Sequence, residues 1–331
     1  MNKVIPLEEH LPKIREVTIG NDPHEQWLAS QLSVATSKAY ESDLRQFLEF
    51  LEIAHIELNS SILEQITWYH AVSFRNKLSE NNYQRSSINR KLASLRSFFS
   101  RCVAVGMLRS NPFDATLVSG YKVDRTTTGK SIEAKWLLKM LSMVDKTEDL
   151  LTKKRDRVIL SLLIYGGLRR GELCNIHWDH FAKDNEHNIL HLPDTKGGAN
   201  QLIKIQSHTM AEIQDYQQVL KENSYPYEGK TPVLISLSRN NSHGRGMTPQ
   251  SINLTVKKYA KKAGVPKNIT AHMFRHSCCT LAIEGGAKPT QVQSHLRHKD
   301  IKTTMGYYED HARFTDNASD YVQLGDDNTE E

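Results

Sequence analysis

Apolar positions recur at helical spacing through most of this chain. Tyr40, Leu44, Phe47, Leu48 and Leu51 form one stripe, with Thr36 or Ser37 placed to cap it. A second amphipathic helix is predicted after Ser86. Ile88, Leu92, Leu95 and Phe99 share its apolar stripe, and Arg90, Lys91, Arg96 and Arg101 take the other faces. Trp68 to Leu78, between them, also reads as helix. Residues 22–112 are thus expected to form a small all-helical domain of about four helices. Asn111-Pro112 closes it, because proline steers the residue before it away from the α region.

Periodicity lapses over residues 113–130, a Thr- and Gly-rich stretch that reads as a linker. It resumes at Ile132, with Trp136, Leu137, Met140 and Leu141 on one face. The run from Lys154 to Tyr165 turns almost wholly apolar in its second half, the mark of a buried helix. Between residues 188 and 206 the period changes. NILHLPDTKGGANQLIKI alternates, breaks at Gly197-Gly198 and alternates again, which predicts a β-hairpin or small sheet with Lys196 at its turn. Helices are expected again at 249–263, 271–284, 289–296 and 300–308. The fold class is therefore mainly α: a helical N-terminal domain, then a mostly helical domain over 131–312 with a small antiparallel sheet.

Composition fits this division. The 331 residues are 38% hydrophobic and 24% charged, and one core seldom grows past about 250–300 residues, so two domains are expected. The longest apolar stretch, Val158 to Leu168, is about half a membrane span. The first residues lack the apolar core of a secretory signal. Cys102, Cys174, Cys278 and Cys279 make neither a disulfide framework nor a CxxC pair. A cytoplasmic, nucleoid-associated protein with no membrane contact is expected. Charge sharpens this. Eight acids against Arg313 leave residues 309–331 at −7, so the chain's net +5 places +12 on residues 1–308. Residues 75–130 hold eleven bases and three acids, and residues 251–302 hold ten and two. Such blocks suit a polyanion, although solvated helix faces explain either block alone equally well.

Three clusters carry candidate chemistry. In Gly167-Leu168-Arg169-Arg170-Gly171-Glu172-Leu173, Gly166 and Gly167 supply a tight turn, and Glu172 lies three residues after Arg169 to hold it. In His272-Met273-Phe274-Arg275-His276, His272 and Arg275 lie one helical turn apart. A zinc site through His272 and His276 lacks the glutamate of HExxH and places a cation between the ligands, so no metal is assigned. The third cluster is Leu296-Arg297-His298, followed by Thr303-Thr304 and Tyr307-Tyr308.

Each cluster is weak alone. In this order, with Lys196 on its hairpin, the set resembles the tyrosine recombinase or phage integrase family, which includes Xer-type resolvases, over residues 22–312. Trp178, Asp179, Thr270 and Ser277 agree with the pattern. The resemblance implies that Arg169 and Arg275 are the catalytic arginines, Lys196 the hairpin lysine, His272 and His298 the two histidine positions, and Tyr307 the nucleophile. Glu172 would support the first arginine, and His276 would be structural. Two departures stand out: Arg297 replaces the glycine of Leu-Gly-His, and Gly166 the threonine of Thr-Gly-Leu-Arg. Arg297 either distorts the turn before His298 or reaches a phosphate, and the sequence leaves both open.

The residue types suit phosphodiester exchange. A tyrosine keeps the bond energy in a covalent ester, arginine forks fit the non-bridging oxygens, and a lysine can protonate the leaving 5′-oxygen. No cofactor or metal is expected. The resemblance implies double-stranded DNA as partner and a homotetrameric synapse, with a second recombinase or a DNA-bending accessory protein as optional additions. With about 21 residues before the first helices, no separate arm-binding domain is expected. Residues 313–331 form an acidic tail whose Phe314, Tyr321, Val322 and Leu324 suit docking on a neighbouring protomer. The rivals are a catalytically idle DNA-binding relative and a type IB topoisomerase-like nicking-closing enzyme.

Overall fold

Five helices build the first part of the computed structural model: α1 (Pro23–Ala29), α2 (Val34–Phe50), α3 (Ser60–Gln65), α4 (Trp68–Glu80) and α5 (Arg85–Ala104). The structure describes residues 23–31, 34–53, 59–123, 131–192, 201–238 and 243–315. The stripes of α2 and α5 face each other, and Leu44, Phe47, Ile88, Leu92, Leu95 and Phe99 are all buried. Phe47 meets Phe74 and Phe113 edge-on, at 5.1 and 5.0 Å between ring centroids. Such pairs add about 0.5–1.5 kcal/mol beyond area burial.

Two expectations for this unit need correction. Residues 113–123 are not a free linker. Phe113 and Val118 are fully buried in the first core. Asn89 holds Tyr121 through both its amide and its carbonyl oxygen, each at 2.8 Å. The chain divides only after Arg125, and residues 124–130 lie outside the described residues. Two isolated apolar side chains without periodicity gave no sign of this packing. The basic face of α5 is also less available than its composition suggested. Asp43, fully buried, accepts from Arg90 at 2.5 and 2.8 Å and from Lys91 at 3.0 Å. Arg96 donates to the carbonyls of Phe113 and Val118. All three cations are tied to the fold, and of them only Arg90 keeps a largely exposed side chain, at 48%.

The second unit contains α6 (Ala134–Asp145), α7 (Leu150–Ile164), α8 (Arg170–Cys174), β1 (Phe181–Asp184), β2 (His187–Leu192), β3 (Gln201–Ile205), α9 (Ser207–Glu222), α10 (Pro249–Ala263), α11 (Ala271–Glu284), α12 (Pro289–Leu296) and α13 (Ile301–Thr315). The strands form one antiparallel sheet in the order β1-β2-β3, with Leu190 opposite both Phe181 and Ile203. Leu190, Leu192, Ile203 and Ile205 turn one face into the core. The mainly helical class with a small antiparallel sheet is the one predicted.

The sequence reading missed two elements. β1 buries only part of Phe181 and so shows no alternation. α9 carried a usable signal, since Ile213, Tyr216, Val219 and Leu220 are buried at helical spacing. Residues 193–200, where the sequence pattern placed a turn with Lys196, lie outside the described residues, as do residues 316–331 of the acidic tail. No helix among the described residues is long and apolar enough to cross a membrane.

α7 positions the site. Every residue from Val158 to Ile164 is buried, so the loop leaving it emerges at a fixed point beside α11 and α12. Gly167 there has φ +55, and a Cβ on it would strike the side chain of Leu296 and lie 3.2 Å from Cys278 Sγ. Only glycine lets the loop lie this close to both helices.

Candidate active site

Arg169 is the residue before α8, and Glu172 occupies that helix's third position. The Glu172 carboxylate accepts from the Arg169 backbone N–H at 2.8 Å and from Arg169 Nη1 at 2.5 Å. Arg169 Nη2 donates to the Arg297 carbonyl at 3.3 Å. Its side chain is nevertheless 44% exposed, leaving part of the fork open to an incoming anion.

Arg275 is held differently. It lies on the inner face of α11 and is 4% exposed. Nη1 donates to the Gly167 carbonyl at 2.8 Å and Nη2 to the Leu296 carbonyl. One carbonyl lies within the loop after α7 and the other ends α12, so a single guanidinium ties both to α11. Burial, with the charges of Arg169 and Arg297 beside it, pushes Arg275 down to about 9. Three arginines thus surround one carboxylate, and the cluster carries a surplus of positive charge.

Burial pushes Glu172 up, but Arg297 and then the Arg169 backbone N–H and guanidinium outweigh it, and the net shift is downward. Glu172 is an ionised clasp. Arg297 has turned inward: Nη2 donates to Glu172 Oε2 at 2.8 Å and Nη1 to the His295 carbonyl at 2.7 Å. Neither option left open by the sequence anticipated this contact with Glu172, and the side chain is only 3% exposed.

His298 follows directly, its Nδ1 2.8 Å from Thr304 Oγ1. Burial first, then Arg275, Arg169, Arg297 and His272, push its imidazole down to about 4. His298 is therefore neutral near pH 7, and a neutral imidazole can accept a proton. The linkage has a definite sign. The unfolded ring gains its proton near 6.5 and the folded one near 4, so stability falls as pH drops through that window and is unaffected above it. We expect the Tm to decline from about pH 6.5 towards pH 4, and the His298 ring to titrate near 4 by nitrogen-detected NMR. A folded-state midpoint near 6.5 would contradict this assignment.

His272 is exposed on α11, and its ring stacks edge-on against His276 at 4.5 Å. His276 in turn lies 5.4 Å from the ring of Tyr307. Tyr307 is 7% exposed and packs with Cys278, Cys279, Ile283, Val292 and Leu296, whereas Tyr308 is 38% exposed. Arg169, Arg275, His272 and His298 are thus brought into one cluster through α8, α11 and the end of α12. Tyr307 lies against the same helices with its ring inward.

Residues 131–313 match the phage integrase family, and residues 25–104 match the phage integrase N-terminal SAM-like domain. The chain belongs to the phage integrase family. It is 26% identical to tyrosine recombinase XerC of Thermodesulfovibrio yellowstonii, over 82% of this chain and 84% of that one. It is 30% identical to tyrosine recombinase XerA of Pyrococcus horikoshii, over 72% and 74%. Among solved structures, a lambda integrase (residues 75–356) dimer bound to a COC′ core site superposes with a TM-score of 0.64 at 18% identity, over 87% of this chain and 93% of that one. XerH recombinase bound to a palindromic difH substrate gives 0.63 at 18%, over 86% and 80%.

In this phage integrase the sequence reading missed how deeply Arg297 enters the cluster. It placed Thr304 in the third cluster but gave it no role; its fully buried hydroxyl orients His298. The spacing from His298 to Thr304 was visible, but nothing local marked that threonine among its neighbours. His177, Asp179 and His180 have ligating atoms within 4.8 Å of one another. There, however, the His177 backbone N–H donates to His180 Nδ1. The ring proton of neutral His180 then sits on Nε2, which is unsuited to metal ligation, and the trio reads as a capped turn.

Proposed function

We propose that this phage integrase cuts and rejoins double-stranded DNA at specific sites through a 3′-phosphotyrosyl intermediate on Tyr307. The observation that carries the proposal is the convergence of Arg169 and Arg275 beside a neutral His298, with a surplus of positive charge around Glu172. A phosphate is the ligand such a cluster lacks. The phenol oxygen of Tyr307 attacks phosphorus, and the bond to the 5′-oxygen breaks. The phenol proton passes to His298, whose affinity for it rises when the bound phosphate's negative charge offsets the arginines around the ring, and the 5′-oxygen takes a proton from Lys196. Rejoining reverses each step with a 5′-hydroxyl from the partner strand. Arg169 and Arg275 hold the non-bridging oxygens, where charge grows in the five-coordinate state; each such contact is typically worth about 10²–10³ in rate. His272, exposed on the same face, completes the phosphate site. No step requires a divalent metal.

Strand exchange needs two duplexes, so the working unit is a homotetramer on DNA. This extends to the present chain what one relative's structure shows, a lambda integrase tetramer bound to a Holliday junction. The acidic tail, residues 313–331, would link neighbouring protomers.

The test begins by selecting bound duplexes from a random pool, then nicking the selected site so that cleavage becomes irreversible. A covalent protein–DNA complex should accumulate in EDTA without ATP. Lys196→Ala should slow this strongly on normal DNA and far less on a 5′-bridging phosphorothiolate, whose leaving thiolate needs no proton. An absolute need for Mg²⁺, or no covalent complex on any selected site, would defeat the proposal.

A further inference from the structure

Arg297 ends α12 with φ 56 and ψ 46, the left-handed conformation that favours glycine. Its family pattern has glycine at this place, and glycine would close the turn with no backbone strain. The arginine also leaves its Nε buried without a partner among the described residues, an arrangement proteins rarely tolerate. Both features disfavour arginine at this position, so what its remaining atoms do must outweigh them.

Those atoms hold the first catalytic arginine from two sides. Through its main chain, the Arg297 carbonyl accepts from Arg169 Nη2 at 3.3 Å. Through its side chain, Nη2 grips Glu172 Oε2 at 2.8 Å. That same oxygen accepts from the Arg169 backbone N–H, and Glu172 Oε1 accepts from Arg169 Nη1. Glu172 alone, on a five-residue helix, could swing with its own χ angles. Clamped between Arg169 and Arg297, its carboxylate has one orientation, and so does the Arg169 fork. Nη1 of Arg297 is committed to the His295 carbonyl at 2.7 Å, so the guanidinium is fixed at both ends and faces away from solvent.

We propose that Arg297 is a positioning residue: with Glu172 it fixes the Arg169 guanidinium in the orientation that receives the scissile phosphate, without touching the DNA itself. The inference rests on the strand-cleavage function proposed above. It divides labour among three arginines. Arg169 and Arg275 face the phosphate, and Arg297, at a position where the family pattern has glycine, preorganises one of them.

The two claims are tested on the same nicked duplex but fail separately. Covalent complex formed by the unaltered chain tests the function; the variants test Arg297. Arg297→Gly suits the left-handed backbone and removes only the clamp. Its single-turnover cleavage rate at saturating DNA should fall roughly 10- to 100-fold, the usual loss when a partner orienting a catalytic group is removed. Its Kd for the duplex should stay within about twofold. Glu172→Gln should show a similar loss, and the double variant should be no slower than the slower single variant, because both residues act through Arg169. If Arg297→Gly does not fold, Arg297→Lys, which lacks the guanidinium's two separate Nη donors, replaces it in the same cycle. Three results would overturn the proposal: cleavage at the unaltered rate, a deficit confined to DNA affinity, or losses that multiply in the double variant. The last would mean that Arg297 reaches the phosphate directly.

Discussion

Tyr307→Phe should eliminate the covalent protein–DNA complex, lowering cleavage by at least about 10⁴-fold, because the attacking atom itself is removed. Few substitutions separate chemistry from folding so cleanly. The Tyr307 ring packs inward with Cys278, Val292 and Leu296 and near His276, and phenylalanine keeps that apolar volume. Thermal stability and single-site DNA binding should therefore change little. Tyr308→Phe is the necessary control. Tyr308 is the more accessible of the two, at 38% exposed against 7%, and accessibility alone would name it the nucleophile. Its register differs by one residue, however, about 100° around a helix, which turns it away from the face of α13 that packs on α11 and α12. Tyr308→Phe should remain active. Peptide mapping of the trapped complex decides the matter: DNA attached to Tyr308, with Tyr307→Phe still cleaving, would reverse the assignment.

Arg275→Ala should lower cleavage by about 10³-fold or more, at the upper end of what removal of one preorganised donor costs. Unlike Tyr307→Phe, it should also cost stability. The carbonyls of Gly167 and Leu296 would lose their buried donor, and a buried acceptor left unsatisfied costs about 1–3 kcal/mol. Arg169→Ala provides the contrast. That side chain is 44% exposed, so its loss should reduce cleavage while leaving the melting temperature nearly unchanged. Rates are best measured per bound protomer, well below the lowest melting temperature. Arg275→Ala cleaving at the unaltered rate per bound protomer would remove it from the phosphate site and leave it a purely structural tie.

The candidate residues of the site and the order of most elements could be read from the chain. The helical stripes of α2 and α5, the apolar second half of α7 and the alternation across β2 and β3 are local patterns, and local patterns survive in one dimension. So did the pairing of Arg169 with Glu172, because three residues at the start of a helix bring the two together. Long-range exchange of partners was not legible. The cations of α5 read as a face for a polyanion, yet Arg90 and Lys91 turn to Asp43, more than forty residues away, and Arg96 to the loop at Phe113 and Val118. A charge in sequence does not say whether water, a ligand or a buried carboxylate will satisfy it. The same limit applied at Arg297, for which the sequence offered a distorted turn or a phosphate contact. Only the packing of α8 against the end of α12 decided that its partner is Glu172, 125 positions distant. Sequence alone thus named the candidate reacting groups of this phage integrase. The tertiary structure decided which of its cations are open to an anion and which are held by the fold, because desolvation and hydrogen-bond partners arise only when distant segments meet.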